Sequence, residues 1–219
     1  MNGHSSRHSP RRARRSAARP PAAAPPPAGK RERILEAAVK VFAAEGFYNA
    51  KVAQIAQEAG VADGTIYLYF KSKDDLLISL FEHRMEDINA HLREELQRAG
   101  SAVDKLRAVV KLHLGLVQEN RHMAEVICVE LRQSSKFIKE YANPKFGEFL
   151  RLIAGAIAEG QKSGELRSDV EPPLVARAMF GALDEISLAW LVKGKDRIDL
   201  PRATEQMCSL FIEGLRKKE

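Results

Sequence analysis

Residues 52–81 read VAQIAQEAGVADGTIYLYFKSKDDLLISLF. Val52, Ile55, Ala56 and Ala59 fall at helical spacing, and Gly60 ends them because glycine accepts the left-handed conformation of a helix stop. A second short helix is expected over 63–69. Ser72, with Asp75 three residues on, reads as a capping box that opens a third and much longer helix. Short helix, glycine turn, short helix, long helix is the order in which a small domain offers one helix to the major groove of DNA.

Within the second short helix, Ile66 and Phe70 are separated by four residues and point inward together. Gly64, Thr65, Tyr67, Leu68 and Tyr69 are left on the outer faces. Two tyrosines and a leucine exposed on one short helix call for a partner to cover them. Tyrosine hydroxyls and lysine ammoniums bind phosphate oxygens and fix register without reading sequence. Tyr67, Tyr69, Lys71 and Lys73 have that chemistry, with Lys51 as a further cation. Lys73 stands beside the amino end of the long helix, whose free N–H groups favour phosphate. Gly64 permits close backbone approach, and Thr65 and Leu68 can reach base edges or a thymine methyl. Asp63 suits the helix dipole but repels phosphate, and it can accept from a cytosine amino group instead.

Working outward, 3.6-residue periodicity continues in both directions. A helix is expected from about Lys30 to Glu45, stopped by Gly46, with Asn49 as a cap for the next. The long helix from Ser72 carries Leu77, Leu80, Phe81, Ile88, Leu92 and Leu96 on one face. Gly100 and Ser101 break it. Further apolar helices follow: one through Leu106–Val109–Val110–Leu116–Val117, one through Met123–Val126–Ile127–Leu131, and one from Phe146 to Gly160 or Gly164. Pro172 and Pro173 open another through Val192, and Pro201 opens the last, through about Leu215. The expected fold is all-α. It divides into a tail over 1–29, a helix-turn-helix head over 30–75, and a larger helical bundle over 76–219.

Composition narrows the class. The chain has 219 residues, 45% of them hydrophobic, enough for a sizeable core. No apolar run is long enough to span a bilayer, so no membrane role is expected. Cys128 and Cys208 are far apart without metal-ligand spacing, which reads as a reduced, cytoplasmic protein holding two buried thiols. The net charge is +6, and residues 1–29 hold six arginines and no acid, together with six of the ten prolines. Such a tail cannot bury a core and is expected to be disordered, either a solvated extension or an arm for phosphates. It has no apolar h-region of a secretory signal. No nucleophile–base pair, phosphate loop or metal-ligand cluster is recognisable, so no enzyme, cofactor or metal is expected.

The segments ILEAAVKVFAAEGFYNAKVAQIAQEAGV and GTIYLYFKSKDDLL resemble the DNA-binding head of the TetR (tetracycline repressor) family. The resemblance implies a homodimer on a palindromic double-stranded operator, with a carboxyl-terminal domain that binds a small effector. Two departures stand out. The family usually places Ser or Thr where this chain has Ala62, and often a basic or neutral residue where it has Asp63. The longer word VADGTIYLYFKSKDDLLISLFE, with CVELRQSSKFI and FGALDEISLAW, resembles the branch that regulates fatty acid degradation in response to long-chain acyl-CoA.

An acyl chain needs an apolar tunnel between helices. Phe81, Leu112, Leu116, Ile127, Leu131, Phe146, Leu150, Phe180 and Leu183 are candidates for its lining. Arg107 and Lys111 share a helix face and suit coenzyme A phosphates, with Arg121, His122 and Arg132 next. His113 falls on an apolar face and reads first as a satisfied core histidine. Asp184 and Glu185 interrupt an apolar helix, for a polar ligand group or for a dimer pair. Met179, Ile186, Trp190, Met207, Leu210 and Phe211 are candidates for a twofold interface of two helices from each subunit. The function expected is a repressor released by a hydrophobic effector, with long-chain acyl-CoA favoured. The alternatives are another hydrophobic compound as effector, or a helical lipid carrier without a DNA role.

Overall fold

The computed structural model describes residue 1 and residues 29–134, 136–137, 144–193 and 198–217. The arginine-rich tail therefore lies outside the described residues apart from its two ends. Among the described residues the chain is all-α. The helices are α1 (Lys30–Asn49), α2 (Val52–Ala59), α3 (Asp63–Tyr69), α4 (Lys73–Arg98), α5 (Ala102–Glu119), α6 (Arg121–Cys128), α7 (Pro144–Ser163), α8 (Pro172–Lys193) and α9 (Leu200–Leu215). A 3₁₀ turn, Glu130–Gln133, follows α6. Leu131 lies on this turn, so the expected single helix through Met123 and Leu131 is two elements.

Glycine and capping chemistry set the boundaries. Gly46 adopts φ 75° and breaks the regular part of α1, and Gly60 at φ 64° ends α2. Asn49 does not cap α2: its amide donates back to Glu45 O at 3.2 Å. Lys51 takes the cap position, and its N–H is met by the Gln54 side chain at 2.8 Å. Ser72 does cap α4, accepting from the Asp75 N–H at 3.1 Å. The return half of the box is displaced by one residue, since Asp75 accepts from the Lys71 N–H at 2.8 Å. Ala62 precedes α3 with no side-chain cap, as its methyl requires.

In the head, α1 packs on α2 and α4, and α2 packs on α3. Ile34, Phe42, Ile55, Ile66, Phe70 and Leu77 are all essentially inaccessible. In the bundle, α7 packs on α4, α5 and α8, and α9 packs on α5. Gly160 permits the close approach of α7, because a Cβ there would stand 2.5 Å from Ala102 Cβ and 2.6 Å from Leu166 Cδ1. Helix α4 belongs to both halves. The segment formed by α6 and the 3₁₀ turn packs on α1 of the head and also lies against α8 of the bundle.

Candidate functional site

The first surface is α3. Ile66 and Phe70 are 2% and 1% exposed, whereas Tyr67, Leu68 and Tyr69 are 59%, 81% and 43% exposed. A seven-residue helix with so much apolar area in water is held by two anchors alone, which leaves its outer face free for a partner. Asp63, Gly64, Lys51 and Lys71 are exposed around it, and Thr65 is half-buried. Tyr48, which the sequence pattern did not single out, is 68% exposed at the end of α1.

Lys73 differs from expectation. Its ammonium donates to Tyr48 O and Ala50 O, each at 3.0 Å, and lies 4.8 Å from the Phe47 ring centroid. The carbonyls of the α1–α2 loop take its hydrogen-bonding capacity. Lys73 thus ties the start of α4 to that loop and is not an unengaged phosphate-binding cation. Arg31 contributes an unforeseen positive group beside α3, 5.5 Å from the Phe70 ring centroid.

The second site is a cavity of about 260 Å³ inside the bundle. Residues from α4, α5, α6, the 3₁₀ turn, α7 and α8 line it. Of the expected lining, Phe81, Leu116, Ile127, Leu131, Phe146 and Phe180 are present, together with Arg132. Leu112, Leu150 and Leu183 are buried but belong to the surrounding core and not to the wall. Arg107, Lys111 and His122 are also absent from the wall. Arg107 pairs with Asp104 at 2.8 Å; burial raises the Cys208 thiol on α9, and the nearby charges of Arg107 and Lys111 only partly offset it. Their helix face turns toward α9, away from the cavity. His122 is exposed, and Arg121 stacks 5.1 Å from the Trp190 ring centroid.

The wall also includes residues outside the expected lining: Arg84, Met85, Val117, Ala124, Cys128, Phe137 and Phe149. Its polar groups are sparse and unevenly engaged. Arg132 and Asp184 form an ion pair. Burial raises the Asp184 carboxyl above its ordinary range, and the opposing pull of Arg132 only partly offsets it. Burial, reinforced by the Asp184 charge, pushes the Cys128 thiol up to about 12, so it stays protonated and unreactive. Arg84 has no ion pair or hydrogen bond among the described residues.

One segment joins the two sites. Glu130 is 8% exposed and accepts from the Phe47 N–H at 2.6 Å. Ser134 donates to Asp74 at 2.6 Å, and Asp74 is in the first turn of α4. Between these two contacts, Leu131 and Arg132 face the cavity. A carboxylate buried this far is costly without strong partners, so the Glu130 contact fixes the turn against the head.

The dimer candidates divide. Ile186, Trp190, Met207 and Phe211 are half-buried and Leu210 is 59% exposed, on α8 and α9. Met179 is 0% exposed, packed inside the protomer and unavailable to a partner subunit. Ser187 is likewise buried and donates to Leu183 O at 2.9 Å. Leu174 and Val192, exposed by 65% and 71%, add apolar area on α8.

Residues 34–80 match the family of bacterial regulatory proteins, tetR family, and residues 81–214 match the family described as YsiA-like protein, C-terminal region. The chain belongs to the TetR family. The fatty acid metabolism regulator protein of Bacillus subtilis is 34% identical over 186 residues, covering 85% of this chain and 95% of that protein. The solved structure of FadR from Bacillus subtilis in complex with stearoyl-CoA has a TM-score of 0.78 at 34% identity, covering 84% of this chain and 98% of the other. The fatty acid degradation regulator FadR from Bacillus halodurans has a TM-score of 0.77 at 34% identity, over 84% and 99%. As a TetR-family transcription repressor, this protein carries its DNA-binding helix-turn-helix on α2 and α3. No described helix is long and apolar enough to cross a membrane.

Proposed function

We propose that this TetR-family repressor is released from a palindromic operator by a long-chain acyl-CoA and controls genes of fatty acid degradation. The observation that carries this reading is the apolar cavity with arginines at its wall, in a chain similar to a regulator solved with stearoyl-CoA. The acyl chain lies among Ile127, Leu131, Phe146 and Phe180. Arg84, unpaired among the described residues, and Arg132 supply cations for the phosphates, replacing Arg107 and Lys111 in that role. Tyr67, Tyr69, Lys51 and Lys71 hold DNA phosphates, and Thr65 and Leu68 meet base edges. Half-buried and exposed apolar groups of α8 and α9 form the twofold interface that a palindrome demands.

Release works through spacing. The effector biases a state in which the two α3 helices no longer match successive major grooves. Swinging occupancy from about 1:99 to 99:1 needs a preference of roughly 5.5 kcal/mol between states. Two routes transmit it. Helix α4 carries Arg84 at the cavity and opens beside α3, and the 3₁₀ turn carries Arg132 at the cavity and Glu130 at the head.

The test is a gel shift on operator DNA that the protein itself selects from genomic fragments. Stearoyl-CoA releases the DNA, and stearate or coenzyme A alone at the same concentration does not. Indifference to all three would make the effector assignment wrong. A second reading keeps the repressor but gives it a cationic hydrophobic effector, favoured by the carboxylate of Asp184 in a largely apolar wall. Release by a lipophilic cation and not by stearoyl-CoA would select it.

A further inference from the structure

Among the polar residues of the wall, His113 is the uncharged one with no hydrogen-bond partner among the described residues, whereas Ser187 donates to Leu183 O and Arg132 pairs with Asp184. It lies on α5, with its ring 5.6 Å from Phe180 and 6.4 Å from Phe149, centroid to centroid. Only burial acts on its basicity, lowering it from 6.5 to about 4, so the imidazole is neutral and carries one N–H and one bare nitrogen. Among the described residues neither nitrogen has a hydrogen-bond partner, and the half-buried residue lines the cavity. It is therefore not the satisfied core histidine that its position on an apolar face suggests. On a mostly apolar wall, a ring N–H or bare nitrogen without a protein partner is best met by a polar atom of a ligand. Arg132 is 45% exposed at its side chain, so a charged group of the wall is within reach of solvent. A ligand whose anionic end meets the arginines thus passes its acyl portion against the imidazole.

We infer that His113 is the hydrogen-bonding contact for an oxygen on the acyl group of the effector, and that it makes the cavity selective for oxygen-bearing chains over pure hydrocarbon. This rests on the acyl-CoA reading above. The oxygen has two possible sources, the thioester carbonyl or a hydroxyl further along the chain, and both offer the same acceptor chemistry to the N–H.

The experiment compares palmitoyl-CoA, the hexadecyl-CoA thioether that lacks the carbonyl, and β-hydroxypalmitoyl-CoA, by calorimetry on the full chain and on His113→Phe. If the carbonyl is the target, palmitoyl-CoA binds about three- to tenfold tighter than the thioether, and His113→Phe erases that preference. If a chain hydroxyl is the target, the hydroxylated ligand gains by the same factor over palmitoyl-CoA, again only with the histidine present. Equal binding of all three, or a preference that survives His113→Phe, overturns the role of His113 while leaving the acyl-CoA reading intact. Failure of all three to bind overturns both. Nitrogen-15 NMR of labelled histidine in the unmutated protein reads the same contact without any variant. Its ring nitrogens shift with the oxygen-bearing ligand and not with the thioether, and identical shifts with both would count against the contact.

Discussion

The outer face of α3 and the wall of the cavity are built by opposite strategies. The α3 face comes from one seven-residue helix, Asp63–Tyr69, held by Ile66 and Phe70. Its chemistry is contiguous in the chain and turned outward. The cavity takes one or a few side chains from each of six elements, and its polar groups are either paired, like Arg132 and Asp184, or left to face the cavity, like His113. A surface for DNA can be compact in sequence because the partner supplies the other half. An internal site must be assembled from distant residues, since every wall needs its own helix.

That contrast can be broken at several points. The largest expected effect is on the DNA face. Replacing Tyr67 and Tyr69 together by alanine removes two phosphate contacts and costs about 3 kcal/mol, roughly a hundredfold in operator affinity by gel shift. Thermal stability stays near that of the parent, because neither ring is in the core. A large fall in melting temperature instead would mean that the tyrosines hold the head and not the DNA.

A comparable effect belongs to the cavity and is read through pH. The unfolded chain protonates His113 at about 6.5, while the folded protein resists until about 4. The folded value is the lower one, so this stabilisation is complete above about pH 6.5 and is lost as pH falls toward 4. The loss is about 3 kcal/mol. Urea denaturation at about pH 7 and about pH 4 measures it. His113→Phe has a smaller acid penalty by that amount, and an unchanged penalty would place the acid sensitivity elsewhere.

Filling the cavity should separate the two sites. Ile127→Trp occupies the space while leaving α3 untouched, so operator affinity stays within about twofold. The effector concentration for release rises by roughly tenfold or more, the penalty expected for overpacking a formed site. If DNA affinity collapses too, the wall and the head are coupled even without ligand.

The smallest effect concerns two lysines near one another in sequence. Lys71→Ala removes an exposed cation and makes the salt dependence of DNA binding shallower by about one unit. Lys73→Met leaves that slope unchanged and lowers stability by about 1–2 kcal/mol, since Tyr48 O and Ala50 O lose their donor. The reverse pattern would restore Lys73 to the phosphate set.

The residues show why the sequence was informative in one place and mute in another. The inward pair Ile66 and Phe70 follows from helical spacing, and what is left over on α3 is exposed by elimination, apart from half-buried Thr65. The same logic failed for Arg107 and Lys111. Four-residue spacing shows that two side chains share a face, but not which neighbouring helix the face meets, and here it meets α9. It failed for Lys73 because the carbonyls that hold it lie 23 and 25 residues earlier in the chain. Met179 looked available for a dimer on composition, yet α8 turns it wholly inward. Nothing in the sequence separates Arg84 from the other charges of a long helix, and only the packing of α4 places it on the cavity wall.

Periodicity, glycine stops and the Ser72 cap determined by themselves an all-α chain with a helix-turn-helix head and the outward chemistry of α3. These depend on interactions within a few residues, which local spacing encodes. The cavity wall, the buried contact of Glu130 with the Phe47 N–H, the tether of Lys73 and the unpartnered imidazole of His113 were decided only by the tertiary structure. Each depends on which distant helices meet, and burial and hydrogen-bond partners are properties of that meeting and not of the segment that supplies the side chain.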